Sequence, residues 1–574
     1  MSIIKLKEAN CKNCHKCIRG CPVKSISFTD EQAQIIDNEC ILCGHCTLVC
    51  PQNAKYIRSD LDRVRDWLAR GEKIYVSLAP SYVSVFPDAN IKKMSAALLK
   101  LGFTHVEETA IGAGHVSAQY AALMREHKMP NIITTACPTV VLLVEKYYPA
   151  LVKYLAPVLS PMCAHAKMMR EVYGKRIKVV FIGPCISKKY EVTDPANEGV
   201  VNAVLSFDEL HEWFTDEKID FSEENDDARG MKGVVNRYYP IPGGIIRTIQ
   251  REDRSEYRAV AADGIDRCMD ILQSLRDDGS EGYFLELNAC AGGCVGGPCI
   301  KSFAKSVLGA REQVSANVKL RANDPAPLTE GLDTAIRRHY FDLSPNEKQP
   351  TEEEIRAVLL KIDKPTPESE LNCGACGYST CREKAIAVCQ GKADIKMCLP
   401  YMRERAESTS NLIIENTPNC IVVVDEDMNI LSFNPIAREK FGLVENRCIG
   451  RPIEMYFDSP DFDRVRQTGE NIISSKNTYP EYGITVEQHI FRIDGHQKNY
   501  VVIMQDISSE ERRAQQLSEM RSETVEVAQR VIDKQMRVAQ EIASLLGETT
   551  GETKVALTKL KKTILAETGE TRHE

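Results

Sequence analysis

Twenty-two cysteines stand in this chain of 574 residues, and most of them are clustered. Two copies of one pattern open the sequence, Cys11-x2-Cys14-x2-Cys17-x3-Cys21-Pro22 and Cys40-x2-Cys43-x2-Cys46-x3-Cys50-Pro51. A tandem repeat of this kind marks a duplicated unit. Three thiolates on one tight loop can ligate three irons of a 4Fe–4S cube, and in this pattern the fourth ligand comes from the other repeat. Cys11, Cys14, Cys17 and Cys50 are therefore expected to hold one cluster, and Cys40, Cys43, Cys46 and Cys21 the other. Paired zinc sites compete, but zinc favours two CxxC hooks per site rather than three-plus-one used twice. His15 and His45, inside the loops, are read as exposed polar positions. Further along, Cys373-x2-Cys376-x4-Cys381-x16-Cys398 supplies four thiolates for a third cube, again with zinc as competitor, and Cys389 between them is read as non-ligating.

Three segments between these modules carry cysteines after apolar, strand-like runs: Thr134–Thr139, Gly183–Glu191 and Asn288–Gly297. Their Cys137, Cys185, Cys290 and Cys294 are so far apart that only a fold could unite them. Gly292, Gly293, Gly296 and Gly297 would let backbone approach a bulky cofactor. Buried free cysteines remain the alternative.

The tandem repeat resembles a bacterial two-cluster ferredoxin. The three central segments resemble the catalytic domain of the iron-only (FeFe) hydrogenases, whose reaction is 2H⁺ + 2e⁻ ⇌ H₂. That resemblance implies an H-cluster, a 4Fe–4S cube joined through a cysteine to a two-iron unit bearing CO, cyanide and a dithiolate. Carried over, Cys137, Cys185, Cys290 and Cys294 ligate the cube, with Cys294 bridging, and Lys188 donates to a cyanide ligand. Lys189 next door is read as a solvated lysine. The departures are equally specific. Ala136 stands where catalytic members carry a proton-relaying cysteine, and Gly183, Asn288 and Ala291 replace other pocket residues. No carboxylate falls in Ile111–His115, where acidic relay groups are expected. Ser160-Pro161-Met162 fits the family's Ser-Pro segment, and Cys163 or His165 is another conceivable proton route, although a core position is the plainer reading of Cys163. Metal anchors are kept and the relay is lost, a combination that is similar to the sensory branch of the family. The Cys373–Cys398 module resembles a small 4Fe–4S domain of redox enzymes, and Glu415–Asp425 with Ile430–Asn434, Gln488–Arg492 and Tyr500–Asp506 resembles a PAS domain. The PAS ligand is left unassigned. His489 and His496 are read as ordinary strand or turn residues rather than haem ligands.

These residues need elements to position them. Strand-like runs at Ile74–Leu78, Asn131–Thr134 and Lys178–Ile182 alternate with helical patterns at Ile91–Leu101 and Ser117–Glu126, favouring an α/β layered domain. Strands are also expected at Ser25–Phe28 and Gln34–Asp37, and the acidic stretch Asp216–Gly230 is read as a loop. The expected architecture is multidomain, mixing α/β with α+β. Residues 1–60 form a ferredoxin-like two-cluster domain, 72–325 an α/β hydrogenase-type domain and 326–365 a proline-punctuated linker with a helix near Glu352–Ile362. Residues 366–408 form a small helical 4Fe–4S module, 409–507 a PAS domain, and 508–574 a helical signalling or dimerising segment. In the last, Val525, Ala528, Ile532, Gln535, Ala539, Ile542 and Leu546 step by three and four, fitting either a homodimeric seam or a helix packed on the preceding domain.

Hydrophobic residues make up 43% and charged residues 27%, with a net charge of −8. That composition excludes a disordered or collagen-like chain and argues against direct nucleic-acid or membrane binding. No apolar run spans a bilayer and Met1–Asn10 lacks a signal-peptide core, so a cytoplasmic location is expected. The expected function is H₂ sensing with weak reversible hydrogenase activity, relayed through iron–sulfur clusters to the PAS domain and on to a redox partner and a downstream signalling protein. The alternative is a non-catalytic iron–sulfur redox sensor lacking the two-iron unit.

Overall fold

The computed structural model describes residues 2–29, 31–197, 199–219, 221, 234–250, 256–300, 303, 306–319, 329, 331–346, 349–494 and 498–546, with the short stretches 555–556 and 558–559. Two compact units result, Met1–Met402 and Arg403–Glu574.

In the first unit the tandem repeat is closed by two small antiparallel pairs. Ile4–Leu6 pairs with Lys55–Ile57, tying the repeat's ends together, and Ile26–Thr29 forms a hairpin with Gln32–Ile35. The hairpin turns earlier than the sequence pattern suggests, its second strand starting at Gln32. His15 is half-buried with its ring edge-on to Phe28 at 4.7 Å, so of the two loop histidines only His45 is exposed.

Two parallel sheets build the layer that follows. One has four strands in the order His105–Glu108, Ile74–Leu78, Lys178–Gly183 and Ala203–Ser206. The other has three, Arg258–Asp263, Tyr283–Asn288 and Asn131–Ile133. Most of their residues are buried on both faces, as parallel strands covered by helices must be. Ala110–Glu126 and Pro161–Tyr173 cross closely on one face. A Cβ at Gly112 would lie 2.5 Å from the Pro161 carbonyl, so only glycine admits this approach. The stretch read as a linker is strapped to the domain. Leu159 donates to Ile336, Arg338 to Pro157 and Leu343 to Glu145 through backbone amides. A helix Glu352–Lys361 follows, opened by a Thr351/Glu354 capping box. Of the acidic stretch Asp216–Gly230, residues 220 and 222–230 lie outside the described residues.

The second unit is a five-stranded antiparallel sheet in the order Ile430–Phe433, Cys420–Val424, Lys498–Asp506, Ile484–Asp494 and Ile472–Tyr479. The last strand escapes the sequence pattern because its burial is irregular and a bulge interrupts its pairing. Phe441, Phe457 and Phe462 fill the core against Val422, Val502 and Met504. Partial burial pushes the Asp506 carboxyl up, but the Lys440 ammonium at 2.6 Å and the Ser508 hydroxyl and amide outweigh it and hold it down at about 2. A depressed carboxylate contributes stability above its unfolded value and loses it as pH falls. The PAS unit is therefore expected to lose on the order of 1 kcal/mol between about pH 4 and pH 2, a slope that Asp506→Asn removes in acid denaturation.

Ser508–Leu546 then runs as one helix. Leu517, Met520, Val527, Val531, Val538 and Ile542 on it are exposed, whereas Val525, Ala528, Ile532 and Ala539 of the three-and-four stripe are half-buried. Among the described residues no helix is long and apolar enough to cross a membrane.

Candidate functional site

In open parallel sheets ligands gather outside the carboxyl ends of strands. Both parallel sheets here point those ends at one cavity. Ala79 and Ser81 follow the strand Ile74–Leu78, Thr109 follows His105–Glu108, and Ala136 and Cys137 follow Asn131–Ile133. Pro184 and Cys185 follow Lys178–Gly183, and Ala289, Cys290 and Cys294 follow Tyr283–Asn288. All ten line a cavity of about 100 Å³, several times the roughly 10–15 Å³ that one water needs. Cys137, Cys185, Cys290 and Cys294 thus meet, and their thiols lie within electrostatic reach of one another. Burial, then mutual repulsion, pushes the thiols of Cys137, Cys290 and Cys294 up, so this group favours a strongly cationic centre among them.

The turn carrying Cys290 and Cys294 is almost bare backbone. Gly292 and Gly293 have φ of +88° and +80°. A Cβ at Gly296 would lie 1.8 Å from the Ala291 carbonyl oxygen. Here the glycines admit close approach of the protein's own backbone and of Val307.

Lys188 lines the same cavity and is 9% exposed at its side chain. Its ammonium donates to Glu191 Oε2 at 2.7 Å and to the Ala136 carbonyl at 3.4 Å. Burial, the largest single influence, would lower its pKa, but Glu191 together with the Cys163 and Cys185 sulfurs outweighs it and raises the pKa. Lys189 is no solvated neighbour, contrary to the expectation from its sequence position. It is buried and donates to Glu209 and to the Val204 carbonyl, both at 2.8 Å, because the short helix Ser187–Glu191 turns it toward the next strand. Ser160 is buried as the N-cap of Pro161–Tyr173, with Pro161 and Met162 rather than Ser160 in the cavity wall. Cys163 is fully buried, with Glu191 Oε1 3.6 Å from its sulfur.

Two groups lining the cavity and one beside it do not stand out in the sequence. Ser81 is fully buried, and its hydroxyl has no hydrogen-bond partner among the described residues. Thr109 brings a second hydroxyl. Glu286, two residues before Asn288, is buried within electrostatic reach of Cys294. Burial pushes its carboxyl up to about 7 despite the Ile246 amide at 3.0 Å. The only sequence signal for Glu286 is a carboxylate inside an otherwise apolar strand.

Most of the other thiols stand near one another as well. Cys21, Cys40, Cys43 and Cys46 line one small void, and Cys17 lies within electrostatic reach of Cys14 and Cys50, with Cys11 half-buried at the head of that loop. Cys373, Cys376, Cys381 and Cys398 line another void, which excludes Cys389. Cys43 also reaches the large cavity's wall and couples to Cys290. Gly44 makes this possible, since a Cβ there would lie 2.4 Å from Ile186 Cδ1. Among the described residues no three His, Cys, Asp or Glu side chains converge on a single ion. Thiols standing around voids suit a multi-iron cube better than one zinc, which draws four sulfurs to about 2.3 Å of a point. In the PAS unit the His489 Nδ1 accepts the Ser474 amide at 3.0 Å, and His496 lies outside the described residues.

A duplicated thiol module beside a thiol-lined cavity at strand ends defines an iron–sulfur redox protein. Family comparison makes this specific. Residues 72–298 match the iron only hydrogenase large subunit, C-terminal domain, and residues 10–54 match a 4Fe-4S dicluster domain. Residues 370–400 match an Fe-S cluster family, and residues 411–509 match the PAS fold. The chain is thus an FeFe-hydrogenase-like iron–sulfur protein with a PAS domain. It is 24% identical over 332 residues to the NADP-reducing hydrogenase subunit HndD of Solidesulfovibrio fructosivorans, covering 46% of this chain and 56% of that one. It is 24% identical over 367 residues to Iron hydrogenase 1 of Clostridium pasteurianum, covering 51% and 64%. The chain therefore spans less than two thirds of the length of these relatives. A solved FeFe-hydrogenase HydA1 variant from Chlamydomonas reinhardtii superposes with a TM-score of 0.39 at 17% identity, over 50% of this chain and all of that one.

Proposed function

We propose that this protein is a hydrogen sensor of FeFe-hydrogenase type with slow reversible turnover, whose redox state is passed to its PAS domain. The convergence of Cys137, Cys185, Cys290 and Cys294 on one cavity with Lys188 and the unpartnered Ser81 hydroxyl supports this reading. The four thiolates would hold a 4Fe–4S cube, with Cys294 bridging to a two-iron unit bearing CO, cyanide and a dithiolate. That unit, when bound, supplies the centre at which protons and electrons are interconverted with H₂. Lys188, kept charged by Glu191, and Ser81 offer donors suited to anionic diatomic ligands. Ala136 puts a methyl group in the wall where a proton-relaying thiol is expected, and a positioned acid/base group is worth roughly 10²–10⁴-fold.

Electrons pass between the second repeat and the cavity at Cys43, which lines the cavity wall and lies within electrostatic reach of Cys290. The third thiol set packs on the first repeat, where Arg19 donates to the Ala375 carbonyl and Lys24 to that of Gly377. Its last cysteine, Cys398, heads the helix Leu399–Asn416, which leads covalently into the PAS unit. A reduced cluster is more negative, and a helix N-terminus favours that charge by about 0.3–1 kcal/mol. The exposed apolar residues of Ser508–Leu546 are assigned to a second copy of the chain.

The test is to mature the protein and load it with a synthetic two-iron cofactor. Infrared CO and cyanide bands, slow H₂ evolution and about eighteen irons per chain are expected. No bands after loading, with about sixteen irons, would leave a cluster-only redox protein instead.

A further inference from the structure

We infer that protons reach the cavity through a hydrogen-bonded relay between two adjacent strands and the helix Pro161–Tyr173, Thr109–Ser77–His165–Glu107–His105/Tyr173, in place of the thiol missing at position 136. The inference rests on the hydrogenase-type reading above.

Strand periodicity sets the path. His105, Glu107 and Thr109 alternate with their neighbours and share one side of the chain as it leaves the sheet. Ser77, on the adjacent parallel strand, is in register with Glu107. The helix Pro161–Tyr173, drawn close by Gly112, lays His165 and Tyr173 over the same face. Every link is short. Thr109 Oγ is 2.7 Å from Ser77 Oγ, which is 2.8 Å from His165 Nδ1. His165 Nε2 is 3.2 Å from Glu107 Oε2. The Tyr173 hydroxyl donates to Glu107 Oε1 at 2.6 Å, and His105 Nε2 lies 3.1 Å from both.

The two ends face different surroundings. Thr109 lines the cavity, whereas the His105 side chain is 21% exposed. Between them Ser77, Glu107 and His165 are fully buried. Among the described residues Thr329 also donates to Glu107, at 2.5 Å, and Glu108 on the opposite face is held by Arg237. A buried imidazole hydrogen-bonded through both nitrogens, to a carboxylate and to a hydroxyl, can accept a proton on one side and release one on the other. One proton enters at His105 or Tyr173 and one leaves from the Thr109 hydroxyl. Each intermediate group accepts one and donates one, and no electron moves along this path, since electrons arrive through the thiol sets.

The test uses the full chain loaded with the two-iron cofactor. Thr109→Val removes the cavity-end hydroxyl with little change of shape, and His165→Gln removes the exchangeable ring. Both are expected to lower H₂ evolution about tenfold or more and change its solvent isotope effect. CO and cyanide bands and cluster signals should match the parent, and Thr109→Ser should restore turnover. Parent-like rate and isotope effect in Thr109→Val would overturn the relay, even if His165→Gln failed to fold. So would loss of turnover in Glu286→Gln alone, which would route protons past Asn288 instead. Absence of the bands in the loaded parent would overturn the hydrogenase-type reading itself, and the relay with it.

Discussion

Replacing Cys294 by Ala is expected to abolish hydrogen turnover and the CO and cyanide infrared bands of the loaded protein, while the signals of the other three clusters persist. The sulfur of Cys294 faces the cavity shared with Cys137 and Cys185 and lies within electrostatic reach of both. Its backbone is fixed independently of that sulfur, by the Gly292–Gly293 turn and the Gly297 amide bonded to the Cys294 carbonyl. The substitution therefore removes a ligand without undoing the loop. Two of the remaining thiol sets line voids of their own and none of them includes Cys294, so their clusters are expected to persist. Cys163→Ala is the matched control. It also deletes a buried thiol from the same domain, but one outside the cavity wall, and the bands should be retained. Full-intensity bands in Cys294→Ala would overturn the bridging role proposed for this residue.

The largest effect on stability is expected from Arg237→Leu. Arg237 is 2% exposed and donates through Nε at 2.9 Å and Nη2 at 2.6 Å to Glu108, which is fully buried. Its Nη1 also reaches the Asn317 carbonyl at 3.1 Å. Removing one partner of a buried pair strands the other charge at a cost of about 3–5 kcal/mol. For a domain of this size that corresponds to a fall of roughly 10 °C in the unfolding midpoint. The consequence reaches the site because the pair ties two of its walls together. Glu108 precedes Thr109, Arg237 precedes Tyr239 and Pro240, and these three neighbours all line the cavity. Arg237→Leu with Glu108→Leu should recover most of the loss, since no charge is then left unpaired. A midpoint in Arg237→Leu indistinguishable from the parent, followed by the hydrogenase-type domain's circular dichroism, would contradict the account.

Local spacing carries much of the site. Three cysteines within seven to nine residues must share a loop, so the thiol sets around Cys21 and Cys398 are legible as groups from their spacing alone. The strand runs before Cys137 and Cys185 are legible too, because buried parallel strands are continuous apolar segments. Lys189 is not, because its partner, Glu209, lies twenty residues away on another element and leaves no local mark. The proline-rich stretch after residue 326 has the composition of a linker, yet its Arg338 is held by Asp194 and its backbone bonds to the domain. The strand Ile472–Tyr479 is hidden by a bulge, which breaks the alternation on which strand recognition depends.

By itself the sequence determined which thiols act within a loop, since ligand spacing of two to four residues is fixed by covalent reach. It also determined that position 136 offers no exchangeable proton, a property of the alanine side chain alone. Only the tertiary structure decided that Cys137, Cys185, Cys290 and Cys294 meet, because they reach one cavity from two separate sheets whose order is not written in any local pattern. It likewise decided that Ser77, Glu107, Thr109 and His165 form one chain of hydrogen bonds, since strand register and helix crossing, not sequence neighbourhood, set those distances.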